Sequence, residues 1–354
     1  MDFFSRSKPF LKHIVTEDGR RHMSYVATTV GLVITGALAA PHTFLLRKSK
    51  DQLQMYSDGY PVKPSPALCD IIAETLADYR LPEDISRRIR WFTAFGFDPI
   101  HMGALNLTSG AVIGLPKTFS YTSVEDVDRS SIKMHRDKSV PWRTEAGEAL
   151  LNSLILSKEA KKFAIAREVI AVDSTYIYFK TLALATVFPI GYKCAVTVND
   201  TFGLFRYPRK LRVSIYAGWS LLGILVAIGI NDAVNYFYDK SADKKVAALG
   251  YTYCKGGVEY HSKRLLRNRA LRELLGREGQ ATYSTEGNMS YWIRMPHPRC
   301  TSRRDFFQKE VDRLEQLPAD QRPEPDPIVV THPTPGIAVR TTTSSGAPMR
   351  KGLW

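Results

Sequence analysis

The sequence predicts an α+β membrane protein: a transmembrane helical hairpin inserted in a small soluble domain, with a further membrane helix near the N-terminus. Three observations carry that reading. Two long apolar segments, 175–198 and 213–237, are joined by a short basic stretch. A charged amphipathic run from Ser157 to Ile170 leads into the first of them, and polar sequence resumes after the second, so the soluble parts fold together around the insertion. From Ser24 to Leu46 there is no charged residue. At about 1.5 Å per residue that stretch spans a hydrocarbon core of roughly 30 Å.

The composition narrows the class. The 354 residues carry 49 Lys and Arg against 35 Asp and Glu, a net charge of +14. Such a balance suits nucleic acid, anionic lipid or the interior of mitochondria. No aromatic interleaving and no known module accompanies the charge, which argues against nucleic acid. The four cysteines form no C-x-x-C pair, which argues against a disulfide framework and against a cysteine zinc site.

In order, 1–23 is a weakly basic N-terminal segment. Its acids Asp2, Glu17 and Asp18 make a poor transit peptide, and it reads as part of an uncleaved signal. The membrane helix 24–46 follows, with Arg47-Lys48-Ser49-Lys50 as a basic collar. Residues 47–174 form the first half of the soluble domain. There Ser65-Pro66 opens a helix, serine as N-cap and proline in the first turn. Leu68, Ile71, Ile72, Thr75, Leu76 and Tyr79 give its apolar stripe. Trp91–Phe97 reads as a strand, and Ala111–Leu115 with Thr118–Ser123 reads as a hairpin or two tight strands about Pro116-Lys117. Trp142-Arg143-Thr144-Glu145 opens a helix through Leu151 and Leu154. Ser157 caps the next, with Glu159 in the first turn where the helix dipole favours an anion.

The membrane helices are 175–198 and 213–237. Lys180, Lys193 and Asp232 lie near their ends, as charges in lipid must, and Pro189 bends the first. The intervening loop 199–212 holds Arg206, Arg209, Lys210 and Arg212 against Asp200. By the positive-inside rule it faces the matrix or cytosol, and the soluble parts face the other side. Residues 238–316 form the helical second half. One helix there runs from Val258 to a glycine stop at Gly276 and carries a basic face of Lys263, Arg264, Arg267, Arg269 and Arg272. That face suits solvent, anionic lipid or a partner protein. The Pro-, Thr- and Ser-rich tail 317–354 lacks apolar periodicity and reads as disordered.

No phosphate-binding glycine loop, dinucleotide fingerprint or nucleophile elbow is present. One near-miss stands out. Ala166-Arg167-Glu168-Val169-Ile170-Ala171 has the shape of the H-E-x-x-H zinc helix with both histidines replaced. The layout is similar to membrane zinc peptidases of the HtpX and CAAX-protease type: a strand pair, the zinc helix, a transmembrane hairpin, and a later helix bearing a glutamate ligand. Ala111–Ser123 would be the strand pair, and Glu259 falls where the glutamate would be. Arg167 is always protonated and Ala171 has no ligand atom, so neither holds a metal. The four positions Arg167, Glu168, Ala171 and Glu259 then read as a degenerate metal site in a pseudo-peptidase scaffold, with no cofactor and no catalytic residue. Arg167 is expected to fill the vacant site and pair with Glu259.

A more specific resemblance rests on longer stretches. These are Ser109–Pro116, Val140–Arg143, Leu156–Val169, Cys254–Tyr260, Asn268–Gly276, Glu286–Asn288 and Thr301–Asp305, in order across about 100–305. In them the chain resembles the transmembrane protein 177 family of the mitochondrial inner membrane. The resemblance implies a multi-pass inner-membrane protein that is not an enzyme and acts in the biogenesis of cytochrome c oxidase subunit 2. It implies association with the inner-membrane chaperone of newly made subunit 2 and with copper metallochaperones of that pathway. The alternatives are a relative of membrane zinc metallopeptidases, inactive or with residual activity, and a protein that binds anionic lipid.

Overall fold

The computed structural model describes residues 16–130, 132–133, 139–291, 294–318, 321–323, 329–330 and 341–342. The chain divides into two compact units. One comprises Met1–Leu45, Thr175–Phe237 and Arg294–Pro296; the other comprises Leu46–Ser174, Tyr238–Ile293 and His297–Trp354. Most of the N-terminal segment 1–23 lies outside the described residues.

The first unit is helical. Among the described residues, three helices are long and apolar enough to cross a membrane: Glu17–His42, Tyr176–Thr201 and Lys210–Ala247, the last running on into the second unit. The first, α1 (Glu17–Ala39), begins earlier than Ser24 because the Thr16 hydroxyl accepts from Gly19 N at 3.0 Å and caps it. It ends short of Leu46 because Pro41, with no N–H to donate, tightens the chain into the 3₁₀ turn Ala40–His42. Gly31 lets α1 press on a later helix: a Cβ there would stand 2.7 Å from the carbonyl oxygen of Ala185.

That later helix is α7 (Tyr176–Thr201), and with α8 (Arg209–Ala247) it forms the expected hairpin. The contacts between them run antiparallel. The Tyr176 hydroxyl donates to Asn235 Oδ1 at 2.5 Å, Val187 lies beside Gly223, the Tyr192 and Tyr216 rings are 6.3 Å apart, and Arg212 Nε donates to Asn199 Oδ1 at 3.0 Å. Leu221, Leu222, Ile224 and Leu225 stay exposed, as lipid-facing side chains do. The basic loop is shorter than 199–212, because both helices continue into it; Arg212 is a buried residue of α8. The Lys180 ammonium donates to the Tyr176 hydroxyl at 2.7 Å, and Arg294 grips Asp232 with two bonds of 2.7 and 3.0 Å. These charges in apolar helices are thus held in hydrogen-bonded groups.

The second unit opens with α2 (Leu46–Leu53), the two-residue strands β1 (Tyr56–Ser57) and β2 (Tyr60–Pro61), α3 (Pro66–Asp78) and the single turn α4 (Glu83–Ser86). Ser65 caps α3 as expected, its hydroxyl accepting from Leu68 N at 3.3 Å. Three strands follow: β3 (Ile89–Ala94), β4 (Ile100–Gly103) and β5 (Ala111–Pro116), in the order β3-β5-β4. β5 is parallel to β3, with Trp91 opposite Ile113, and antiparallel to β4, with His101 opposite Ile113. The expected pairing of 111–115 with 118–123 does not form. All six residues of β5 are buried, which suits a central strand. After Pro116 the chain winds into a 3₁₀ turn, Lys117–Ser120, that buries Thr118 and Phe119.

Helices α5 (Glu145–Ser153) and α6 (Lys158–Val172) are N-capped by Thr144, accepting from Gly147 N, and, as expected, by Ser157, accepting from Ala160 N. α6 is the centre of the core. Ala160, Phe163, Ala164, Ile165, Ala166, Val169, Ile170 and Val172 are all buried, more than the one buried face that the pattern predicts. Against it pack α3, β4 and α9 (Tyr251–Leu274). α10 (Arg277–Thr282) and α11 (Cys300–Glu315) complete the unit, α11 lying along α9. The chain stays attached beyond the expected boundary at 317. Arg322 donates to the carbonyls of Leu317 and Glu315 and covers the Tyr251 ring, and Tyr251 N donates to Pro323 O. The rest of the tail is outside the described residues, except for the strands β6 (Val329–Val330) and β7 (Thr341–Thr342).

Two adjacent glycines fix how closely α9 approaches α6. A Cβ on Gly256 would lie 2.3 Å from Glu159 O, and one on Gly257 would lie 2.8 Å from the Phe307 ring and 2.9 Å from the Phe163 ring. Backbone cannot yield as a flexible side chain can. Gly256→Ala is therefore expected to cost about 3 kcal/mol, the upper end for overpacking, read as a fall in the denaturant midpoint. Gly191→Ala, with nothing within 4 Å of the added carbon, should leave the midpoint unchanged.

Candidate functional site

The residues singled out on α6 lead to a cluster of buried charge. Glu168 is buried, and His101 of β4 reaches it, Nδ1 lying 2.5 Å from Oε2. On the other side Arg167 Nη1 donates to Glu168 Oε1 at 3.0 Å. The same guanidinium donates through Nη2 to Asp239, and its Nε lies 3.5 Å from Asp243 Oδ1. Asp239 Oδ2 is 2.6 Å from Nδ1 of His297. Arg303 of α11 holds Asp243 with two bonds, the Nε one at 2.6 Å. One guanidinium thus joins three carboxylates, and through them the network ties β4, α6, the last turns of α8, and α11.

Burial by itself raises the pKa of Glu168, but His101 and Arg167 outweigh it and hold the carboxyl below its ordinary range. Arg167 is shifted up: burial opposes its charge, and Asp239, Glu168 and Asp243 more than offset that. Next to the cluster, on α9, His261 is fully buried. Its ring stacks on Phe307 at 5.9 Å and meets Phe163 edge-on at 5.6 Å. Neither ring nitrogen has a hydrogen-bond partner among the described residues. Burial, and then the charges of Arg303, Arg264 and Arg167, push its pKa well below the usual value, so the imidazole is neutral.

Glu259 is elsewhere. Its carboxylate accepts from Ser157 N at 2.9 Å and from the Ser157 hydroxyl at 2.5 Å, so it braces the N-cap of α6. Ser157 and Arg167 are ten residues apart on one helix, about 15 Å of axial rise. The expected Arg167–Glu259 pair therefore does not form. Arg167 takes Glu168 and the two aspartates as partners instead. Among the described residues, no group of three or more His, Cys, Asp or Glu side chains is disposed to hold a metal ion. The structure brings Arg167 and Glu168 together; Ala171, on the same helix, supplies no polar side-chain atom.

The basic face of α9 is largely turned inward. Arg267 is buried and donates to Phe97 O at 3.3 Å and to Asp98 Oδ2 at 3.0 Å; Arg264 donates to the same oxygen at 3.3 Å. Lys263 donates to Asn152 O at 2.8 Å. Arg272 donates to the carbonyls of Gln280, at 3.0 Å, and Tyr283. Of the five, Arg269 alone is exposed. Burial would raise the pKa of Asp98, but Arg264 and Arg267 pull it down to about 2.

Sequence reasoning missed His101, Asp239, Asp243, His261 and Arg303. Asp239 and Asp243 do carry a signal, because a spacing of four puts both on one helix face where a single cation can serve them. Nothing local marks His101, whose partner lies 67 residues away.

Fold and site together define an α+β membrane protein with three candidate membrane-spanning helices and a soluble unit closed around an ion-pair cluster. Comparison with known proteins gives the family. A family model described as Transmembrane protein 177 matches residues 76–296. Transmembrane protein 177 of Mus musculus is 32% identical over 258 residues, covering 72% of this chain and 82% of the relative. The Homo sapiens protein is 32% identical over 254 residues, covering 71% and 80%. The Xenopus laevis protein is 29% identical over 315 residues, covering 87% and 100%. The chain belongs to the transmembrane protein 177 family. No solved structure matches it.

Two measurements check the site. Groups with depressed pKa values in the folded state stabilise it above the unfolded pKa and cease to do so as pH falls through the folded value. For Asp98 and Glu168 that loss runs downward from about pH 4, reaching about pH 2 for Asp98. His261, neutral when folded, adds a loss that begins near its unfolded pKa of about 6.5, since the unfolded chain binds the proton more readily. Acid unfolding is expected in two stages, and His261→Leu should remove the upper one. Separately, Glu259→Gln should cost about 1.5–3 kcal/mol, the range for a hydrogen bond to a charged group. That cost should add to that of Arg167→Lys within about 0.5 kcal/mol, because the two sites share no partner.

Proposed function

We propose that this protein is a non-enzymatic assembly factor of the mitochondrial inner membrane. On this reading it stabilises the chaperone of newly made cytochrome c oxidase subunit 2 and associates with the copper metallochaperones that act on that subunit. The reading rests on the family resemblance described in the sequence analysis. One structural observation supports it most. The place on α6 where a peptidase would carry its metal ligands holds the Arg167 guanidinium, bonded to Glu168 and Asp239 and 3.5 Å from Asp243. A cluster in which each charge faces its opposite supplies rigidity, and the guanidinium at its centre has no lone pair to offer a metal.

In this account the hairpin anchors the protein and the soluble unit offers surface to partners. The basic turn between α7 and α8 faces the matrix, and the soluble unit faces the intermembrane space. Depleting the protein is expected to lower the amount of the complex between subunit 2 and its chaperone, measured by native electrophoresis. Unchanged complex after full depletion would contradict the reading. Protease added to mitoplasts should remove the C-terminal tail; protection of the tail would reverse the orientation.

A further inference from the structure

A second charged site lies beside β4, outside the Arg167 cluster. Asp98, Lys263, Arg264 and Arg267 surround a small cavity of about 20 Å³, walled also by Phe97 and Tyr260. Three cations meet one carboxylate there. Asp98 is shared by both guanidinium groups, with Arg267 Nη1 2.9 Å from Oδ1. The Nε atoms of Arg264 and Arg267 are buried and have no acceptor among the described residues, and Oδ1 of Asp98 is buried without a hydrogen-bond donor. Buried donors without acceptors are rare and need an explanation. An oxygen from outside, entering the cavity, provides one. The cavity has room for about one oxygen-sized group, and a carboxylate oxygen set there from the mouth would meet the guanidinium donors.

The strand that follows the site points to where such a carboxylate would come from. β4 begins two residues after Asp98 and lies at the edge of its sheet. Its inner side pairs with β5. On the outer side, Ile100, His101 and Met102 have no backbone partner among the described residues. The opposite edge, on β3, is bonded at its C-terminal end: Met55 N donates to Thr93 O at 2.8 Å, and just beyond the strand Phe95 N donates to Leu53 O at 3.0 Å. An open edge beside a cationic pocket suits an extended polypeptide better than a lipid headgroup. The edge takes backbone hydrogen bonds, and the pocket takes one side chain.

We propose that β4 and the Asp98–Lys263–Arg264–Arg267 pocket form a docking site for an extended acidic segment of a partner protein, which adds as a strand along Ile100–Met102 and places one Asp or Glu carboxylate against the unsatisfied guanidinium donors. This deepens the partner-holding reading and rests on it for the existence of a partner. The test uses the purified full-length protein in detergent, so it is independent of complex levels in mitochondria. Short peptides alternating Val, Thr and Tyr, with one Glu at each position in turn, are compared with Gln counterparts by fluorescence anisotropy.

At least one Glu peptide should bind saturably and its Gln counterpart about tenfold more weakly. The amides of Ile100–Met102 should exchange with deuterium at least about tenfold more slowly in the complex. Lys263→Glu, at a partly exposed position, should weaken binding by a similar factor while the protein stays folded by circular dichroism. No saturable binding by any Glu peptide, or equal binding of Glu and Gln forms, would overturn the proposal. So would inorganic phosphate, or vesicles containing cardiolipin, binding with the same Lys263 dependence while the peptides do not. That result would assign the pocket to phosphate chemistry.

Discussion

The soluble unit depends on one guanidinium. Arg167 lies on the most buried helix of the protein, where an uncompensated charge would cost several kcal/mol. It is kept there by carboxylates from three points along the chain: its neighbour Glu168, and Asp239 and Asp243 on α8. Because Arg303 holds Asp243 and two histidines hold the outer oxygens of Glu168 and Asp239, the position of each element constrains the next. An apolar core of the same volume could be as stable. The ion pairs add register: α6, the end of α8 and α11 satisfy one another in a single arrangement.

The same logic of satisfied polar groups runs through the apolar helices. A hairpin in lipid has no water to solvate stray side chains, so each polar residue must find a partner within the protein. Tyr176, Lys180 and Asn235 form one such group near one end of the hairpin, and Asn199 and Arg212 another near the turn. Between them the contact surface is small: Val187 beside Gly223, and the tyrosine pair 192 and 216. The polar ends set the register.

What could be read in the sequence was local. The N-caps at Ser65 and Ser157 and the glycine stop at Gly276 follow from a few adjacent residues, and the structure has them where the chemistry places them. The hairpin followed from length and apolarity. The errors concern partners far apart in the chain. Thr118–Ser123 alternates like a strand, yet Phe119 is buried as part of a turn, and the true neighbours of β5 precede it. The α9 arginines read as a solvated face because their acid, Asp98, lies 169 residues before Arg267. Glu259 fell at the right distance in sequence for a metal ligand, but its stretch of α9 packs on the start of α6, where Gly256 lies against Glu159 O. It therefore meets the first turn of α6, and Arg167 lies near the other end.

The central claim is that the Arg167 cluster, as a structural knot, holds the soluble unit together. The most direct measurement is the unfolding free energy of full-length Arg167→Met against the native protein. Removing one partner from a buried ion set leaves the others uncompensated, and the expected loss is about 3–5 kcal/mol. Part of it should be recovered when Asp239→Asn and Asp243→Asn are added. A change within about 0.5 kcal/mol, typical of a surface substitution, would show that the core does not depend on this charge.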